Sequence, residues 1–247
     1  MGQILPDPRL TLSAIRARYN IPGWFHPIDP WHQFTAAEIR RHVRRFWKRL
    51  PTQPQHRILN AGAGGNDLGM CPETTISLDI SEAQVLSLPT PLVANVEALP
   101  LASASIDTIL CVGSVLNYCD AATAISEFAR TLRSGGYLVL EFESSQSAEF
   151  LGHHVFGKSA AMIETFYGIR PEVVWVYKPK YILNLLMAAG FKLIRNIPIQ
   201  VLSPWALRMS CGLPTAATIG RLDLVAKYVP LLKGWASNYL LFCERHI

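Results

Sequence analysis

The stretch "RILNAGAGGND", Arg57 to Asp67, decides the fold. An apolar run breaks into three glycines, Gly62, Gly64 and Gly65, as a strand does when it gives way to a turn that lets a ligand approach the backbone. From Arg57 onward the chain alternates short apolar runs with helical segments, the signature of an α/β sheet. Strands are expected at Arg57–Ala61, Thr75–Leu78, Leu92–Ala94, Thr108–Val112, Tyr137–Phe142, Lys192–Ile199 and Tyr239–Glu244. Helices are expected at Ala121–Leu132 and Lys180–Ala189, the second closed by Gly190. The first two crossovers, "GNDLGMCPE" and "SEAQVLSLPTP", are short, and Pro72, Pro89 and Pro91 hold each to a turn or two.

The first fifty residues have another texture. Helical pieces at about Asp7–Tyr19 and Thr35–Leu50 flank an aromatic, proline-rich link, "NIPGWFHPIDPWHQF". Residues 1–50 therefore read as a helical cap or lid and 51–247 as the α/β domain, with an apolar insertion at about 198–236. "EIRRHVRRFWKRLP" packs seven basic or histidine side chains into Arg40–Arg49, while Ile39, Val43, Phe46, Trp47 and Leu50 recur at helical spacing. It reads as an amphipathic helix. Its basic face is either plainly solvated or a contact for a peripheral membrane surface, an acidic partner or nucleic acid.

Of 247 residues, half are hydrophobic and 17% charged, with a net charge of +5, which excludes a disordered chain. No uncharged apolar run reaches the ~18 residues of a spanning helix. The opening "MGQILPDPRL" lacks a basic segment followed by an apolar block, so no signal peptide is expected. The five cysteines (71, 111, 119, 211, 243) form no C-x-x-C and no zinc-spaced cluster with histidine. They read as buried thiols of a cytoplasmic protein, with no metal site.

Three ligands compete for the glycine turn. A P-loop is excluded, because no Lys-Ser/Thr pair follows the glycines. A dinucleotide fingerprint fits Gly62 and Gly64, but Asp67 stands at the third glycine and would repel a pyrophosphate. S-adenosylmethionine (SAM) has no phosphate, and Asp79, ending the second strand in "TISLDIS", is placed to accept both hydroxyls of a ribose.

Further along, "NVEALPLASASIDTIL", "EFARTLRSGGYLVLEF" and "LLMAAGFKLI" follow in order. Together with "ILNAGAGGN" and "LDIS", they resemble the motifs of class I SAM-dependent methyltransferases, in the small-molecule branch that includes quinone methyltransferases. The resemblance runs from about Arg57 to Arg195 and returns at "NYLLFCER". It implies a Rossmann-like sheet of seven mostly parallel strands, the last inserted antiparallel, with helices on both faces. It also implies that Gly62 and Gly64 lie under the methionine part, Asp79 holds the ribose, and Ile80 packs on the adenine. Asn95 would face the adenine amino group, the Val96 N–H a ring nitrogen, and Cys111 and Val112 the sulfonium. Three asparagines depart from the pattern. Asn66 replaces a glycine and is expected to tolerate a left-handed backbone; Asn95 replaces an aspartate whose acceptor role its amide oxygen can fill. Asn60 replaces the acidic residue that works toward the cofactor's ammonium group, a charge that Asp67 could supply instead.

Methyl transfer needs a general base only if the acceptor must lose a proton. Candidates are Tyr118 after the fourth strand, His153 and His154 after the fifth, and His26, beside Asp29 and His32, in the proline-rich link; Tyr19 could reach the cofactor from the lid. Asp107 is read as bracing a strand, and Gly135-Gly136 as a tight turn. Nucleic-acid methylation is disfavoured, since "GSVLNYC" stands where a [D/N/S]-P-P-aromatic box belongs and no Pro-Cys nucleophile is present. The sequence thus points to a methyltransferase for a small, apolar or aromatic acceptor. The rival is a non-catalytic SAM-binding module used for interaction.

Overall fold

The structure, a computed structural model, describes residues 7–21, 30–50, 55–167, 170–209, 212–226, 228–229 and 232–246. The central sheet contains β1 (Ile58–Ala61), β2 (Thr75–Asp79), β3 (Pro91–Val93), β4 (Ile106–Cys111), β5 (Leu132–Glu143), β8 (Phe191–Ile199) and β9 (Asn238–Arg245). Its order is β3-β2-β1-β4-β5-β9-β8. The first five strands run parallel, and β9 enters antiparallel between β5 and β8.

Consecutive apolar residues, rather than alternating ones, line the inner strands because both faces are covered. Leu59, Ile109 and Leu138 face one side, against α4 (Ala121–Thr131) and α5 (Pro179–Ala188), with Phe128 and Ile182 fully buried between. Their neighbours Ile58, Leu110 and Val139 face the other side, where α2 (Pro30–Trp47) lays down Ile39, Val43, Phe46 and Trp47. Helix α1 (Leu12–Tyr19) is capped by Thr11, whose hydroxyl accepts from Ala14 N.

The clipped crossovers follow the prolines. Between β1 and β2 only a single 3₁₀ turn, Pro72–Thr74, forms, and between β2 and β3 only α3 (Glu82–Val85). α2 begins five residues before the expected Thr35 and stops at Trp47 instead of Leu50. The expected insertion contains α6 (Ser203–Arg208) and α7 (Gly212–Ala226), which packs against α2.

One element is absent from the sequence reading. β6 (Ala160–Tyr167) and β7 (Arg170–Tyr177) form a separate antiparallel ribbon after β5. The cysteine reading also needs correction: Cys111, Cys119 and Cys243 are buried thiols, but Cys71 is exposed, its Sγ 2.8 Å from a Glu73 carboxylate oxygen. Cys211 lies outside the described residues. Asp107 braces the sheet as expected, accepting from Arg57 N at 2.6 Å and pairing with Arg133.

Candidate active site

β1, β2 and β4 end side by side, and the site is built on the turns that follow them. Gly62 (φ +76°) and Ala63 both donate backbone N–H groups to Leu78 O, which folds the glycine turn back over β2. A Cβ on Gly62 would overlap the methyls of Val115, so close approach as well as positive φ requires glycine there. Gly113, also at positive φ, instead faces open space, and a Cβ on Gly64 would meet only Gly62 O, at 4.0 Å.

Asp79 is buried and bound to these turns. One carboxylate oxygen accepts from Gly64 N at 2.8 Å, the other from Ser81 N at 2.9 Å. Burial pushes its pKa up, against these amide hydrogen bonds. The carboxylate thus sits at the join of the glycine turn and β2, where a ligand's hydroxyls could compete for its oxygens.

The asparagines find physical roles here. Asn60 is buried and its Nδ2 donates to Asn66 O at 2.7 Å, pinning the loop that leaves the glycines. An aspartate could not donate. The Asn66 expectation is corrected: the left-handed residues around it are Gly64, Gly65, Leu68 and Gly69, and Asn66 instead accepts from Leu68 N through its Oδ1 at 2.8 Å. Asp67 is exposed and accepts from Gly69 N, so its carboxylate is engaged within this outer turn. Asn95 spends both amide atoms on Glu97, accepting from its N–H at 3.1 Å and donating to its carboxylate at 3.2 Å. Ile80 is half-buried, Val96 buried, and Cys111 and Val112 are buried at the end of β4, where burial pushes the Cys111 thiol well up. Replacing Asn60 by aspartate sets two acceptors against each other, so about 1–3 kcal/mol of stability should be lost. Urea unfolding of Asn60→Asp measures this.

A second group of side chains closes over these turns. The 3₁₀ turn Val115–Tyr118 follows β4 and is locked in place by Asn117, which donates to Trp175 O and accepts from Glu143 N. Tyr177 adds a hydroxyl bond to Cys119 O at 3.1 Å. Tyr118 is thereby held with its hydroxyl donating to Glu172 on β7. The Glu172 side chain is 1% exposed and lies 3.8 Å from the Arg18 guanidinium. Tyr19 meets the Tyr118 ring edge-on at 5.6 Å, and burial, then the Glu172 and Asp79 charges, push its pKa up. α1 is fastened to the β2 turn as well: Ser81 Oγ donates to Asn20 Oδ1 at 2.6 Å, and Gln84 Nε2 donates to Tyr19 O at 3.1 Å. Beneath, the fully buried Glu141 accepts from Gly113 N and Ser114 N, and from Asn238; burial pushes its pKa up.

Of the candidate bases, Tyr118 joins this cluster. His153 and His154 are exposed and meet each other at 4.3 Å, with Phe150 beside His153. His26 and Asp29 lie outside the described residues, and His32 packs against Trp31. Sequence reasoning missed Arg18, Glu141 and Glu172. The signal for Glu172 was a lone acid in the apolar run "EVVWVY". Among the described residues no group of His, Cys, Asp and Glu could hold a metal ion.

Comparison with known proteins bears on the fold that carries this site. Residues 59–140 match the family model of a methyltransferase domain. A stretch of 125 residues is 31% identical to a malonyl-[acyl-carrier protein] O-methyltransferase of Dechloromonas aromatica (strain RCB). That match covers 47% of this chain, which spans about half the length of this relative. Geranyl diphosphate C-methyltransferase from Streptomyces coelicolor A3(2), solved with S-adenosyl-L-homocysteine, superposes with a TM-score of 0.59 at 14% identity, over 97% of this chain and 99% of the other. The [4+2]-cyclase SpnF also superposes, with a TM-score of 0.54 at 16% identity, over 84% and 81%. The sheet has the fold of class I SAM-dependent methyltransferases, and within it residues 59–140 match the family's domain model.

The residues fit the cofactor of that class. A buried carboxylate at the end of β2 and two glycines in the turns after β1 and β4, Gly64 and Gly113, where an added Cβ would meet no side chain, form a cradle for it.

Proposed function

We propose that the chain transfers a methyl group from SAM to a small, apolar or aromatic acceptor seated beneath α1. The observation that supports this most is the convergence of the glycine turn, Asp79 and the Tyr19–Tyr118–Glu172 group at one set of strand ends, where ligands of such sheets bind. Bound SAM supplies a methyl carbon made electrophilic by its sulfonium. Asp79 holds the ribose, Ile80 and the Val96 N–H meet the adenine, and Gly62 and Gly64 lie under the methionine part. Asn60 holds the loop in shape. Cys111, Val112 and Gly113 line the sulfonium side.

Tyr19 and Tyr118 give the acceptor an aromatic wall and exclude water. When the acceptor carries a hydroxyl, Tyr118 Oη takes its proton while passing its own to Glu172. Losing that proton would make the acceptor oxygen the nucleophile for the methyl group that bound SAM would supply. Within the N-terminal cap, α1 acts as the lid, with Asn20–Ser81 and Tyr19–Gln84 as its fastening. Three free buried thiols suit a cytoplasmic setting, and no described helix is long and apolar enough to cross a membrane.

The fold hosts other chemistry, as the cyclase illustrates, so the test is turnover. Protein incubated with methyl-labelled SAM and a small-molecule cell extract is expected to move label into an organic-soluble product. Tyr118→Phe and Glu172→Gln should each slow this about 10²-fold, with SAM binding retained. Binding without any labelled product would support the non-catalytic module instead. A second reading, an acceptor borne on a carrier protein, is favoured by the name of the D. aromatica relative and by the charge of α2.

A further inference from the structure

We propose that the outer face of α2 docks an acyl carrier protein through an acidic helix of that partner. The inference deepens the carrier-borne reading above and rests on it. Arg40, Arg44 and Lys48 form one row at four-residue spacing, and Arg41 and Arg45 form a second row beside it. With Ala37 they line a cleft of about 340 Å³. The rows extend over about 12 Å of helix. The one acid on α2, Glu38, is buried beneath them, 3.5 Å from Arg41 and 3.6 Å from His42.

Like charges at four-residue spacing destabilise a helix that has no partner. Arg44 is engaged internally, its Nε donating to Leu68 O on the loop that leaves the glycine turn. Arg40, Arg45 and Lys48 have no acidic partner among the described residues. The Nε atoms of Arg40 and Arg41 are shielded from water and lack a hydrogen-bond acceptor among those residues. Guanidinium groups in two parallel rows match the carboxylates of an acidic helix, which recur at the same spacing and bind bidentately.

Other anionic partners suit this face less. A bilayer-bound helix needs large apolar side chains beside its charges, and the cleft offers only Ala37, because Ile39, Val43, Phe46 and Trp47 are packed on the sheet. Single-stranded nucleic acid needs aromatic platforms, and those rings are turned inward. Arg44 links the docking face to the cofactor loop, so a docked carrier sits beside the site that its cargo must enter.

The test is titration of a fluorescently labelled, purified acyl carrier protein into the full chain, followed by anisotropy. Binding is expected at low ionic strength and should weaken more than tenfold between about 20 and 200 mM salt, as screened charges require. The triple variant Arg40→Glu, Arg45→Glu, Lys48→Glu should weaken it at least tenfold further, while calorimetry with S-adenosylhomocysteine stays unchanged and confirms an intact fold. Absence of carrier binding, indifference to the charge reversals, or binding of phosphatidylglycerol vesicles in place of the carrier would each overturn the proposal. Failure of S-adenosylhomocysteine to bind the unaltered chain would instead strike at the methyltransferase reading and leave carrier docking standing.

Discussion

Asp79→Ala is expected to weaken binding of S-adenosylhomocysteine about 10²- to 10⁴-fold. Two hydrogen bonds from ribose hydroxyls to a carboxylate contribute about 1.5–3 kcal/mol each, and their sum sets this range. Alanine also releases Gly64 N and Ser81 N, which the carboxylate holds at 2.8 and 2.9 Å, so part of the loss is loosening of the glycine turn. Asp79→Asn separates the two contributions: it keeps an acceptor for the turn but loses the charge. The pH dependence has a fixed sign. Burial raises this carboxyl's pKa, and only the ionised form accepts from both hydroxyls. Binding should therefore tighten as pH rises through that raised value and then level off, a slope that Asp79→Asn removes.

Gly62→Ala is expected to cost about 2–5 kcal/mol of stability. A left-handed alanine costs about 1–2 kcal/mol, and forcing its Cβ against Val115 adds about 1–3 kcal/mol. For a chain of this size the loss lowers Tm by about 4–20 °C, readable by calorimetric unfolding. The double variant Gly62→Ala, Val115→Ala distinguishes the two causes, because it relieves the overlap but not the backbone strain. Partial recovery is predicted. Full recovery would mean that the φ of +76° matters little, and none would mean that Val115 is not the obstacle.

Much of the frame was legible because the physics is local. Paired apolar residues such as Ile58-Leu59 and Ile109-Leu110 announce strands covered on both faces, and Pro72, Pro89 and Pro91 shorten the crossovers wherever they fall. Asp79 could be read from its place at a strand end. Asn60 could be read only as a departure, since the direction of its hydrogen bond to Asn66 O depends on the loop's path in space.

The roof of the site was the least legible part. Arg18 and Glu172 are separated by most of the chain, and so are Arg9 and Glu164, which meet at 3.0 Å. The ribbon that carries both glutamates begins "AAMIETFY", with no polar–apolar alternation to mark it. Tyr118 was chosen for its place after β4, but its partner could not be found without β7. The basic helix was legible as a charge pattern. That Arg44 is drawn onto Leu68 while Arg45 and Lys48 are left exposed depends on packing alone.

The central claim is that this glycine turn and carboxylate bind SAM. Isothermal calorimetry with S-adenosylhomocysteine tests it most directly. The account predicts a single saturable site in the unaltered chain and at least a hundredfold weaker binding in Asp79→Ala. No heat with the unaltered chain, or an affinity that Asp79→Ala leaves unchanged, would contradict it.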